Sequence, residues 1–102
     1  MRSFLITSAA CAAFVLAGAA AAQAKPLTGH QYLASAKVNL AQARATALHA
    51  RPGKIVGQEL EKEKGGSGLR YSFDVKSKGT TYEVGVDART GKVLENDLDT
   101  PD

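Results

Sequence analysis

The stretch Val84–Leu94, VGVDARTGKVL, decides how this chain is read, because Gly91-Lys92 is either part of a phosphate cradle or the corner of a hairpin. A P-loop separates its two glycines by four residues and follows Gly-Lys with Ser or Thr, so that backbone amides wrap the phosphates and the hydroxyl holds magnesium. Here five residues separate Gly85 from Gly91, and Val93 follows the lysine. The cradle fails at both ends, whereas a hairpin works. With Ala88–Gly91 as a four-residue loop, Asp87 lies opposite Lys92 and Val86 opposite Val93. Asp87 can accept hydrogen bonds from the turn's own amides, and Gly91 can take the left-handed backbone that closes the loop. Leu94 then points to the other face, across from Gly85.

Working outward, Tyr82, Val84 and Val86 alternate with Thr81, Glu83, Gly85 and Asp87. Further upstream, Leu69, Tyr71, Phe73 and Val75 alternate with Arg70, Ser72, Asp74 and Lys76. Each run has the period of a strand with one buried face. A two-residue loop, Lys78-Gly79, pairs Val75 with Tyr82, Phe73 with Val84 and Tyr71 with Val86, so that buried residues meet on one face. A four-residue loop preserves the face too, and lysine is a poor residue for positive φ, so parity sets the side and leaves the register open between the two. Lys54–Lys62 reads as an earlier strand, with Ile55, Val56 and Leu60 as its apolar members, and KGGSG, Lys64–Gly68, as a flexible connection.

Before the strands, VNLAQARATALHARPGK carries the signals of one helix. Asn39 as N-cap and Gln42 three residues later form a capping box, in which each side chain satisfies a free backbone amide of the first turn. Leu40, Ala43, Ala47 and Ala50 recur at helical spacing, flanked by Leu48, while Gln42, Thr46 and His49 take the opposite side. Small alanines on the inner face allow a close approach to a sheet. Pro52 pushes Arg51 out of the helical region and Gly53 gives a corner, so the helix is expected over Leu40–Ala50.

The ends read differently. Arg2, the alanine-rich apolar run Phe4–Ala22 and the small-x-small triplet Ala22-Gln23-Ala24 form a signal peptide, residues 1–24, with cleavage expected after Ala24. Alanine is weakly apolar, and Thr7, Ser8 and Gly18 dilute the run, which argues against an uncleaved anchor. Cys11 sits in the middle of the run, not in a lipoprotein box at its end, and leaves with the signal. Removing 24 residues from the 102 leaves 78, without cysteine, enough for one small domain that holds together without a disulfide. Removing Arg2 from the 13 basic residues leaves twelve against ten acidic ones, a net charge too balanced to argue for nucleic acid or a membrane surface. Residues 25–38, with Pro26 and Gly29 and no sustained period, read as a mobile leader. After Glu95 the chain turns acidic, with Asp97, Asp99 and Asp102, and residues 97–102 read as a frayed tail.

The order helix, RPGK, strand, hairpin, VDARTGKVL resembles the PepSY domain, a small module named for its occurrence in the propeptides of secreted metallopeptidases. The resemblance spans roughly residues 39–96. It rests on Ala43 and Ala47, on Pro52-Gly53-Lys54, on Tyr71, and on Tyr82, Val84, Val86, Asp87, Thr90, Gly91 and Lys92. Arg44 and Thr46 depart from it, standing where such helices carry aliphatic residues. The resemblance implies a helix packed on an antiparallel sheet, and a non-enzymatic, extracytoplasmic module that binds and restrains peptidases. It brings no catalytic residues.

The residues themselves offer little chemistry. His30 and His49 are the only histidines, too few for a metal site, which needs three or four converging ligands. His49 suits a helix C-terminus, where the dipole favours its charged form. Asp97, Asp99 and Asp102 lack the glycine and the bidentate glutamate of a calcium loop. Ser35, Ser67, Ser72 and Ser77 have no recognisable His or carboxylate companion. Glu59, Glu61 and Glu63, interleaved with Lys62 and Lys64, have the look of a solvated strand edge. Tyr71, Phe73 and Tyr82 share the face expected under the helix, which makes them core and not a base-stacking platform.

The expectation is therefore an α+β protein, periplasmic or secreted, in which one helix packs on an antiparallel sheet of about four strands. It acts by binding a protein partner, an extracytoplasmic peptidase first among them, without a cofactor and without membrane insertion once the signal is cleaved. The contact surface is expected on the sheet face away from the helix, at Arg70, Ser72, Asp74, Thr81, Glu83 and Leu94, or along an exposed strand edge. A periplasmic small-ligand or metal-binding protein, and an accessory structural domain of an envelope assembly, are the rival readings.

Overall fold

A computed structural model describes residues 26–99. The expected signal peptide and the last three residues of the expected tail lie outside the described residues. The principal elements are one helix, α1 (Leu40–Ala50), and four strands, β1 (Lys54–Lys62), β2 (Leu69–Ser77), β3 (Thr80–Asp87) and β4 (Val93–Leu98). The strands form one antiparallel sheet in the order β1-β2-β3-β4. The α+β architecture expected from the sequence is the one observed.

The capping box of α1 is present: the Gln42 amide donates to the Asn39 side chain at 2.8 Å, and the Asn39 amide donates to Gln42 Oε1 at 2.9 Å. Such a cap stabilises a helix by about 1 kcal/mol. Ala43 and Ala47 are fully buried and bring α1 down onto Tyr71, Phe73, Val75, Val84 and Val86. The rings of Tyr71 and Phe73 stack with centroids 6.1 Å apart. The buried Tyr71 hydroxyl donates to the Val38 carbonyl at 2.7 Å, which satisfies the one polar atom it carries into the core.

The β2–β3 hairpin has the two-residue loop, with Val75 opposite Tyr82, Phe73 opposite Val84 and Tyr71 opposite Val86. Lys78 accepts a left-handed backbone, φ 53°, next to Gly79 at φ 80°. The paired hydrophobic faces on both sides of the turn outweigh the modest strain at one exposed lysine.

Three regions differ from expectation. At β3–β4, Val86 does face Val93, but a β-bulge places Glu95, not Leu94, opposite Gly85. Val93 lies on the helix side at the outer edge of the sheet, beside α1 and not beneath it, and remains 40% exposed. Asp97 and Leu98, expected in a frayed tail, are the last residues of β4, and the Asp99 amide continues the ladder to the Thr81 carbonyl at 3.0 Å. The expected leader has structure of its own. Thr28 bridges the β1 edge, donating from its amide to Gln58 O at 3.3 Å and accepting from the Leu60 amide at 2.8 Å, and His30–Ser35 form a 3-10 turn. The amides of Lys37 and Val38 then both donate to the Ala88 carbonyl at 2.9 Å. These bonds join residues far apart in sequence, and no local period announces them.

Candidate functional site

The sheet has one face under α1 and one face open. Alternation along the strands sends Glu59 and Glu61 of β1, Arg70, Ser72 and Asp74 of β2, Thr81, Glu83 and Asp87 of β3, and Glu95 and Asp97 of β4 to the open face. Nearly all the carboxylates of the described residues gather there or on its rim, with Arg70 as the central cation and with Lys54 and Lys76 on the same face. The sequence pattern of β1 suggested a solvated edge, but the register sets its glutamates into the same acidic field as those of β4.

Arg70 and Ser72, expected at a contact surface, are only 9% and 5% exposed. Side chains from β1, from the loop that follows it and from β4 fold over them. Arg70 Nη1 lies 3.5 Å from Glu63 Oε2 and 3.3 Å from Glu95 Oε1, while Nη2 donates to the Lys64 carbonyl at 3.0 Å. Ser72 Oγ donates to Glu61 Oε2 at 2.8 Å. Both residues are therefore the floor of the face, and they orient the carboxylates above them. Asp74, Thr81, Glu83 and Leu94 are half-buried. Leu94 is the extra residue of the bulge and reaches toward Gly66 in the β2-leading loop.

The charge on this face is unbalanced. Desolvation, then the carboxylates of Glu95, Asp74, Asp99 and Glu61, push Glu83 up to about 7. Desolvation followed by Glu61, Asp74 and Glu63 raises Glu59 as well. Both shifts come first from burial and then from like charge, and the second cause marks a surface on which carboxylates crowd one another. Among the described residues no group of three or more His, Cys, Asp or Glu is arranged to hold a metal ion. No helix among them is long and apolar enough to cross a membrane.

At the end of the same face, Asp87 is a structural node. Burial pushes its carboxyl up, but four hydrogen bonds outweigh this and hold it well below the usual carboxylate range. They come from the Ser67 amide at 2.6 Å, the Ser67 hydroxyl at 2.7 Å, and the amides of Arg89 at 2.8 Å and Thr90 at 3.1 Å. The Gly91 amide donates to the Asp87 carbonyl at 2.9 Å with Gly91 at φ 80°, so the TGK stretch is a hairpin corner. The role of Asp87 inside its own turn was legible in the sequence, and its grip on the distant Ser67 loop was not.

On the helix side, a groove of about 470 Å³ runs between α1 and β4, lined by Ala45, Thr46, His49, Ala50 and Val93. At the C-terminal end of α1 stands a polar clamp that sequence reasoning missed. Arg51 lies over the Tyr82 ring, 3.8 Å from the centroid, and its Nε donates to Asn96 Oδ1 at 3.0 Å. Asn96 Nδ2 donates in turn to the Ala50 carbonyl at 3.3 Å, which ties the last turn of α1 to the edge strand. Arg44, the departure noted on the helix, donates from Nη1 to Gln58 Oε1 at 2.6 Å, so it serves the helix–sheet contact through a hydrogen bond and not through aliphatic packing.

The fold gives context to a comparison with known families. The family model described as "Peptidase propeptide and YPEB domain", PepSY, matches residues 37–97. No curated protein and no solved structure matches the chain. The matched segment runs from the amide that anchors the start of α1 on Ala88 to the penultimate residue of β4, and so covers the helix, all of the sheet but its last residue, and the Asp87 corner. The chain belongs to the PepSY family.

Proposed function

We propose that this protein is a non-enzymatic, extracytoplasmic binding module that restrains a peptidase, and that it works in the periplasm or outside the cell. Membership of a family described by peptidase propeptides supports the partner class. The observation that carries the reading is the open sheet face, where Glu83, Asp74 and Glu95 crowd above a floor of Arg70 and Ser72. Groups of one sign in excess on one surface favour association with a surface of the opposite sign, and they speed its approach. Thr81, Glu83, Asp74 and Leu94 supply the contact, and Arg70 and Ser72 keep the carboxylates in place beneath it.

Affinity capture from an envelope extract with the tagged protein, followed by a protease assay on what binds, tests this reading. The expected result is a captured peptidase whose activity falls as micromolar protein is added. Absence of any peptidase among the partners, together with no inhibition at that concentration, would refute it.

A further inference from the structure

The sheet has two outer edges, and the chain treats them differently. The β1 edge is occupied by the chain's own Thr28, whose amide and carbonyl bond to Gln58 and Leu60. The β4 edge is paired with nothing among the described residues. The bond from the Asp99 amide to Thr81 O sets the parity of the ladder, in which alternate residues of an edge strand turn their backbone groups inward and outward. Glu95 and Asp97 therefore share the inward set with Asp99, and Asn96 and Leu98 present their amides and carbonyls outward. Exposed backbone groups of this kind are a template for another strand.

The two sides of that edge are chemically distinct. On the helix side stand Val93 and Leu98, 40% and 58% exposed, with the groove beside α1 next to Val93. On the open side stand the carboxylates of Glu95 and Asp97, beside Glu83. We propose that the free edge of β4 accepts an extended segment of a partner protein as a fifth strand, with apolar side chains on the helix side alternating with lysine or arginine on the open side. Strand geometry sends successive side chains to opposite faces, so the pattern of the edge dictates the pattern of its occupant. A second copy of this chain fits badly, because two β4 strands would bring their acidic sides together. The inference deepens the binding-module reading and rests on it, since it names the segment by which a partner would be held.

The test uses a synthetic ten-residue peptide of alternating valine and lysine, and a block isomer of the same composition with all valines first. Binding to the purified protein is followed by calorimetry, and the backbone amides of Asn96 and Leu98 by NMR. The alternating peptide is expected to bind about tenfold more tightly than the block isomer and to lose affinity as salt rises. It should shift the Asn96 and Leu98 amides. Leu98→Pro, which removes an outward donor without breaking a bond to β3, and Asp97→Lys should each abolish the preference, with circular dichroism verifying that both variants fold. Ala45→Lys, which fills the groove from an exposed helix position, should weaken binding as well.

Equal binding of the two peptides, or binding that survives Leu98→Pro, overturns the proposal. So does self-association of the protein that Leu98→Pro abolishes, because the edge would then belong to a second copy. Failure here with a peptidase still captured and inhibited overturns the strand proposal alone. Peptide binding without any inhibited peptidase overturns the peptidase reading and leaves the edge assignment standing.

Discussion

Ser67 and Asp87, twenty residues apart, share both oxygens of one carboxylate: the Ser67 amide donates to Oδ2 at 2.6 Å and its hydroxyl to Oδ1 at 2.7 Å. The pair joins the glycine-rich loop before β2 to the corner after β3. Gly66 has to be glycine for the loop to come this close, since a Cβ there would collide with the Asp87 carboxylate. A buried carboxylate held in this way acts as a rivet between two loops that the sheet ladder does not connect.

Asp87→Ala is expected to destabilise the fold by about 3 kcal/mol, because it strands the amides of Ser67, Arg89 and Thr90 in a site that is 1% exposed. Chemical denaturation at neutral pH measures this. The folded state holds this carboxyl below its ordinary value of 3.8, so its contribution is complete above pH 3.8 and is lost as the pH falls below it. The gap between the native protein and Asp87→Asn should therefore narrow below that pH.

Glu83 acts with the opposite sign. Its proton is held up to about 7 in the fold against an ordinary value of 4.5, so between those values the folded state binds more protons than the unfolded chain. Stability from this group therefore falls as the pH rises through that window. Glu83→Gln removes the term, and the denaturation midpoint of the variant should gain relative to the native protein between pH 4.5 and pH 7. An unchanged difference across that range would show that Glu83 ionises normally.

Gly91→Val tests the hairpin corner. At φ 80° a β-branched residue meets its own backbone, and the expected loss is about 1 kcal/mol or more. The nearest atom outside the turn, Val38 Cγ2, lies 3.7 Å from where a Cβ would sit, so the loss comes from backbone strain and not from a clash. Thermal denaturation should show it, and calorimetry with nucleotide should show no binding in either protein.

Ala47→Leu tests the close approach of α1 to the sheet. Ala47 is fully buried against the core, and the added side chain must lift the helix or distort its neighbours, at a cost of about 1–3 kcal/mol. Ala45→Leu, an exposed position on the same helix, serves as the control and should be near neutral.

What the sequence determined by itself is what short-range physics controls. The capping box at Asn39 and Gln42, the stop at Pro52, the inward set Tyr71, Phe73, Val75, Val84 and Val86, and the closure of the last turn at Gly91 each depend on residues within a few positions, or on a strand period that admits only two faces. Tertiary structure alone decided the rest. It buried Arg70 and Ser72 beneath Glu63, Glu95 and Glu61, made Leu94 the bulge residue, drew Thr28 onto one sheet edge and left the β4 edge open, and brought Ser67 to Asp87. These outcomes turn on which distant side chains compete for the same space and the same hydrogen-bond partners. Alternation can say that a residue faces away from the helix, but only the register of four strands says what stands next to it there.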